Sequence, residues 1–174
     1  AIPTHIKHIL NYMSKINVKT EVRGEDIFVP GGQELICKPN VKGDLDKIND
    51  QPWPSGFPVD LIPQMVVLAA KAKGNIRIHS IMYETQLLGF VEELKKMRAK
   101  VELADTVRIF TFGPSEFKGA TVVAPNVLQC VHAILLTALA ANGVTVLKNA
   151  EMLIRRYPDL IYKLNKLGAR IEKI

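Results

Sequence analysis

Asp60 closes a proline-bracketed run, Pro52-Trp53-Pro54-Ser55-Gly56-Phe57-Pro58-Val59-Asp60, immediately ahead of an apolar stretch. A carboxylate at a helix start has two uses. The helix dipole favours its ionised form, and an ionised carboxylate can take a proton from a hydroxyl within hydrogen-bond reach. It can also serve as an N-cap. Pro63 has no amide to cap, so only the Ile62 amide stands within reach. Arg155 and Arg156 offer guanidinium forks that match carboxylate and phosphate, or form a solvated pair before a helix. Cys37 and Cys130 lie among apolar neighbours and read as buried thiols, with no metal spacing and no disulfide framework. His5 and His8 share a helix face without an acidic or cysteine partner nearby, and His132 reads as a core histidine. No phosphate-binding glycine loop and no Ser-His-Asp pattern is present.

The elements that must hold these residues follow from apolar periodicity. Helices are predicted over residues 6–16 and 61–73, then one ending near residue 97, and over 126–141 and 157–167. Strands are predicted over 19–22, 26–29, 34–37, 75–78, 100–103, 107–111, 120–123, 144–147 and, to close the chain, 170–172. Residues 38–58, rich in Pro, Asp, Asn and Gly, read as a long surface connection, the kind of loop that often carries function. The chain has 174 residues, 48% apolar and 23% charged, which suits one domain with a hydrophobic core. No segment has the roughly 18 to 20 apolar residues that a membrane helix needs. With no signal-peptide pattern and two unpaired cysteines, a cytoplasmic protein is expected. The net charge of +6 suits an anionic ligand. Nucleic acid is not favoured, because glutamates interleave the lysines near residues 95–100 and 163–173.

The chain repeats itself. Leu94-Lys-Lys-Met97-Arg98-Ala99-Lys100-Val101-Glu102 is echoed by Leu164-Asn-Lys-Leu167-Gly168-Ala169-Arg170-Ile171-Glu172, about 70 residues on. Upstream, Gly74-Asn75-Ile76 is echoed by Gly143-Val144-Thr145. A weaker third copy is Ile16-Asn17-Val18-Lys19-Thr20-Glu21. Each copy predicts a helix, a left-handed stop and a strand, the stop falling on Asn17, Arg98 and Gly168. Arg98 is the misfit, at a cost of ~1 kcal/mol.

The run Pro52 to Leu61, the Lys73-Gly74 strand, Tyr83-Glu84, Glu93 to Met97 and the ending Ile154 to Glu172 together resemble the enolpyruvyl transferases. Within them the chain is most similar to the branch acting on UDP-N-acetylglucosamine. The resemblance covers nearly all of this chain and roughly the C-terminal two-fifths of the family's length. It implies an α/β (α+β) fold: repeated helix-and-strand units packed around central helices, one half of a two-domain inside-out barrel. Residues 1–174 would then form a single C-terminal domain whose N-terminal partner domain is missing. The implied reaction moves the enolpyruvyl group of phosphoenolpyruvate to the sugar 3-hydroxyl, in peptidoglycan precursor synthesis, with no metal or organic cofactor. Asp60 matches the carboxylate at that hydroxyl, Arg155 an arginine that meets anionic groups on domain closure, and Met82 and Tyr83 the lining of the uridine pocket. The family's reactive cysteine lies in the other domain and matches neither Cys37 nor Cys130. Two departures stand out. Glu84-Thr85-Gln86-Leu87 lacks a substrate-binding arginine, and Val127-Leu128-Gln129 replaces Asp-Leu-Arg. Losing anion-binding arginines removes several kcal/mol of stabilisation. The isolated chain is expected not to turn over, and a non-catalytic binding module is the alternative.

Overall fold

A computed structural model describes residues 2–52, 56–81 and 88–174. The chain opens with α1 (Pro3–Met13), which has proline in its first turn, where a missing amide costs nothing. A single 3-10 turn, Ser14–Ile16, ends on left-handed Asn17. A hairpin of β1 (Glu21–Arg23) and β2 (Asp26–Phe28) follows. The predicted strand over 34–37 is reduced to one isolated bridge, between Ile36 and Lys73. The predicted long loop instead contains β3 (Lys47–Asn49), which pairs in parallel with β4 (Gly74–His79). Between them lie a 3-10 turn, Val59–Leu61, and α2 (Ile62–Lys71).

Next come α3 (Leu88–Lys96), β5 (Val101–Leu103), β6 (Arg108–Gly113), β7 (Thr121–Val123), α4 (Leu128–Leu139) and β8 (Val146–Lys148). The C-terminal segment carries two short helices rather than one, α5 (Glu151–Arg156) and α6 (Leu160–Lys166). Pro158 explains the break, since the residue before a proline is driven out of the helical region, and Tyr157 has φ −134°. The predicted closing strand over 170–172 joins no ladder among the described residues. The side-chain amide of Asn165 meets that backbone, accepting from the Ile171 N–H at 2.9 Å and donating to the Ile171 carbonyl at 2.9 Å.

The sheets are β3-β4-β6-β5, β1-β2 and β7-β8. In the first, β4 and β6 are antiparallel, with Ile78 opposite Ile109. Helix α2 lies behind this sheet and packs along α4. Seven of its ten residues are buried, among them Ile62, Met65 and Val66, each contributing roughly 1.5–3 kcal/mol. Phe57, Phe90, Phe117, Leu94 and Met97 complete the same core.

The three stops expected from the repeat are all left-handed: Asn17 (φ 63°), Arg98 (φ 63°) and Gly168 (φ 99°). Each closes its helix with the same pair of hydrogen bonds. The N–H after the stop reaches back five residues, Val18 to Met13, Ala99 to Leu94 and Ala169 to Leu164. The N–H of the stop itself reaches back three, to Ser14, Lys95 and Asn165. This is the Schellman arrangement.

Candidate functional site

The run that ends on Asp60 is positioned from below by a buried carboxylate. Asp50, 1% exposed, follows β3. It accepts hydrogen bonds from the Ser80 hydroxyl at 3.0 Å and from the Ile81 N–H at 2.7 Å, just past β4. Backbone bonds from the Asp50 N–H to the His79 carbonyl, and from the Phe57 N–H to the Asn49 carbonyl, then turn the chain back on itself. Gly56 permits this turn, because a Cβ there would fall on Gln51. Phe57 anchors the run by burial and by an edge contact with Tyr12, ring centroids 5.4 Å apart.

Asp60 therefore emerges, exposed, from the 3-10 turn that leads into α2. It caps neither that turn nor the helix. Its Oδ1 accepts instead from the Nε2 of Gln129, in the first turn of α4, at 2.7 Å. Gln64 of α2 donates to the Gln129 carbonyl at 3.3 Å, and its own side-chain oxygen is buried without a partner among the described residues. Two helix starts thus meet in a carboxylate–amide cluster. The bond to Gln129 fixes how the carboxylate points, and Oδ2 carries no hydrogen bond among the described residues. Such a group can accept a hydrogen bond, or a proton, from a ligand hydroxyl. Asp50, Gln64 and the role of Gln129 were not legible as site features in the sequence. No local motif marks a side chain whose partner is about 30 or 70 residues away.

Arg155 and Arg156 end α5, exposed and with no ion pair among the described residues. No hydrogen bond or ion pair joins Arg155 to Asp60. Met82 and Tyr83 lie outside the described residues, as does the 84–87 stretch with its missing arginine. Lys163 faces solvent beside Asp159. His132 is half-buried on α4 and packs its ring against Tyr157 at 5.1 Å; desolvation holds its pKa below the usual histidine value. Both thiols are free and buried. Burial, with a smaller contribution from the Asp46 charge, pushes Cys37 up to about 11, and burial alone pushes Cys130 up to about 12. Neither can act as a thiolate nucleophile near neutral pH. Among the described residues no cluster of His, Cys, Asp and Glu could hold a metal ion. No helix among them is long and apolar enough to cross a membrane.

Comparison with known proteins defines the class. The fold matches the enolpyruvyl transferase NikO from Streptomyces tendae, with a TM-score of 0.80 and 26% identity, over 97% of this chain and 37% of that one. The family profile of EPSP synthase (3-phosphoshikimate 1-carboxyvinyltransferase) matches residues 1–173, and the chain belongs to that family. Similar proteins include the UDP-N-acetylglucosamine 1-carboxyvinyltransferase of Borreliella burgdorferi, 34% identical over 100% of this chain and 40% of its own length. That of Bradyrhizobium diazoefficiens is 33% identical over 98% of this chain and 39% of its own length. The chain thus spans about two-fifths of the length of the curated relatives it matches.

Proposed function

We infer that this chain supplies one side of an enolpyruvyl-transfer site, with Asp60 directed at the 3-hydroxyl of UDP-N-acetylglucosamine and phosphoenolpyruvate as the donor. One observation carries this reading. The Asp60 carboxylate is exposed, is not used as a cap and is oriented by Gln129. An oriented carboxylate can accept the hydroxyl proton while the sugar oxygen attacks the enolpyruvyl carbon and phosphate departs. Arg155 would meet an anionic group of a substrate once the rest of the protein closes over it. Met82 and Tyr83 would line the uridine side. The remaining polypeptide, corresponding to the other three-fifths of the relatives' length, supplies the other wall of the cleft.

The test is reconstitution. The chain is combined with the N-terminal part of the protein, and phosphate release from phosphoenolpyruvate is measured in the presence of UDP-N-acetylglucosamine. Release that falls at least 100-fold in Asp60→Ala supports the reading. A stable complex that binds the nucleotide sugar without releasing phosphate refutes it. The second reading, a binding module without turnover, is favoured by Gln129. It places a neutral amide where the resemblance expects a guanidinium, and it uses that amide to hold Asp60.

A further inference from the structure

Arg98 is the stop whose side chain the repeat does not explain. The three stops share one backbone conformation, but only Arg98 carries a long side chain into it. Asn17 uses its side chain locally, donating to the Glu34 carbonyl at 2.9 Å, and Gly168 has none to place. The Arg98 guanidinium makes no hydrogen bond or ion pair among the described residues. Nor is it needed to complement the negative end of the α3 dipole, since Lys95 and Lys96 already stand in the last turn. A side chain kept at a strained backbone position without a protein partner points to a ligand.

Arg98 lines a cleft of about 340 Å³ together with Lys100, Pro114, Glu116 and Lys118. That volume lies in the range of small-molecule sites. Hydrogen bonds fix its walls. The Lys118 N–H donates to the Met97 carbonyl at 3.0 Å, and the Lys100 N–H donates to the hydroxyl of buried Ser115 at 2.9 Å. Three cations and one carboxylate therefore share the cleft, and none of the four forms an ion pair among the described residues. By contrast, Lys95 and Lys96 of α3 and Arg108 of β6 are each paired to a Glu or Asp. The cleft is also remote from Asp60. The Ser115 N–H meets the far end of α2, donating to the Ala70 carbonyl at 2.7 Å. Ten helical residues, roughly 15 Å, separate that end from the turn that carries Asp60.

We propose that this cleft is a second anion site, taking the diphosphate group of a small molecule, free or carried on a nucleoside. Guanidinium and ammonium donors match phosphate oxygens, and three cations suit a diphosphate better than a single phosphate. Glu116 can accept from a hydroxyl of the carrier. Phe112 is the reason to include the nucleoside. It is 42% exposed, and its N–H donates to the Lys100 carbonyl at 2.9 Å. Continuing the β5-β6 register by one residue sets it opposite Lys100, on the same face of the sheet. A base can stack on such a ring.

Titration calorimetry of the protein with pyrophosphate, at fixed ionic strength, tests the site. Binding is expected to saturate, and to weaken by about tenfold or more in Arg98→Gly and in Lys118→Gln. Glycine relieves the backbone at position 98, so binding lost there is not folding lost. Lys42→Gln removes the same charge from an exposed loop and should leave the affinity within about twofold. ADP then replaces pyrophosphate. An affinity higher by about fivefold or more, abolished by Phe112→Ala, assigns the nucleotide. Equal affinity assigns the free anion. Binding that does not saturate, or that Arg98→Gly and Lys118→Gln leave unchanged, overturns the proposal. So does equal weakening by Lys42→Gln, which would reduce the effect to net charge, and so does loss in Arg155→Gln alone, which would move the anion to α5.

Discussion

Gly168→Ala isolates the energetic value of a helix stop. Gly168 has φ 99°, and a Cβ built there meets nothing within 4 Å. The substitution therefore adds backbone strain without a clash. A non-glycine residue in the left-handed region costs roughly 1–2 kcal/mol. Restricting the unfolded chain returns about 0.4–1 kcal/mol of that, leaving a net loss near 1 kcal/mol. For a chain of this size that lowers Tm by about 2–4 °C. Arg98→Gly runs the same comparison in reverse. Arg98 carries φ 63° with a side chain, so glycine removes strain of the same order and gives back the entropy, for a net gain of about 0.5 kcal/mol. Urea unfolding followed by circular dichroism measures both, provided the m-value is unchanged. A neutral Gly168→Ala together with a destabilising Arg98→Gly would refute the idea that backbone conformation at these stops decides the energy.

Asp50→Ala removes the acceptor of the Ser80 hydroxyl and the Ile81 N–H. It is expected to cost about 3 kcal/mol in urea unfolding, with Asp50→Asn costing less. Alkylation by iodoacetamide at pH 8, read by mass spectrometry, should leave Cys37 and Cys130 unmodified until the protein unfolds. Because both folded thiols have raised pKa values, of about 11 and about 12, the stability they contribute is complete below the unfolded thiol pKa. It is lost as pH rises from about 9 through those values, so urea midpoints should fall across that alkaline range. Gln129→Ala should leave the fold intact and weaken UDP-N-acetylglucosamine binding in the reconstituted protein by about tenfold, measured by calorimetry, because Asp60 loses the bond that orients it.

The strongly periodic segments were legible from sequence. The two long apolar helices, α2 and α4, are found within two residues of their predicted starts, and β4 through β7 fall where alternation put them. All three stops were readable, even Arg98, because the repeat predicted a backbone conformation that residue type alone argues against. What escaped was set by partners distant in sequence. β3 is three residues long and exists because β4 lies beside it. The predicted strand 170–172 has the right composition but no ladder neighbour, so its backbone turns to Asn165 instead. At the site, Asp60 could be singled out by type and context. Its release from capping and its bond to Gln129 could not, since both depend on how α2 meets α4.

Asp60 and Gln129 are 69 residues apart, the same spacing that separates Gly74 from Gly143. They thus fall at matching positions of two copies of the repeat, and the hydrogen bond joins those positions directly. While two such copies are identical, a carboxylate opposes a carboxylate or an amide an amide, and the junction has no direction. Divergence at this one position makes one side an acceptor and the other its donor. The duplication that built the scaffold therefore left a place where a single substitution in one copy gives a symmetric interface polarity, without any change to the fold around it.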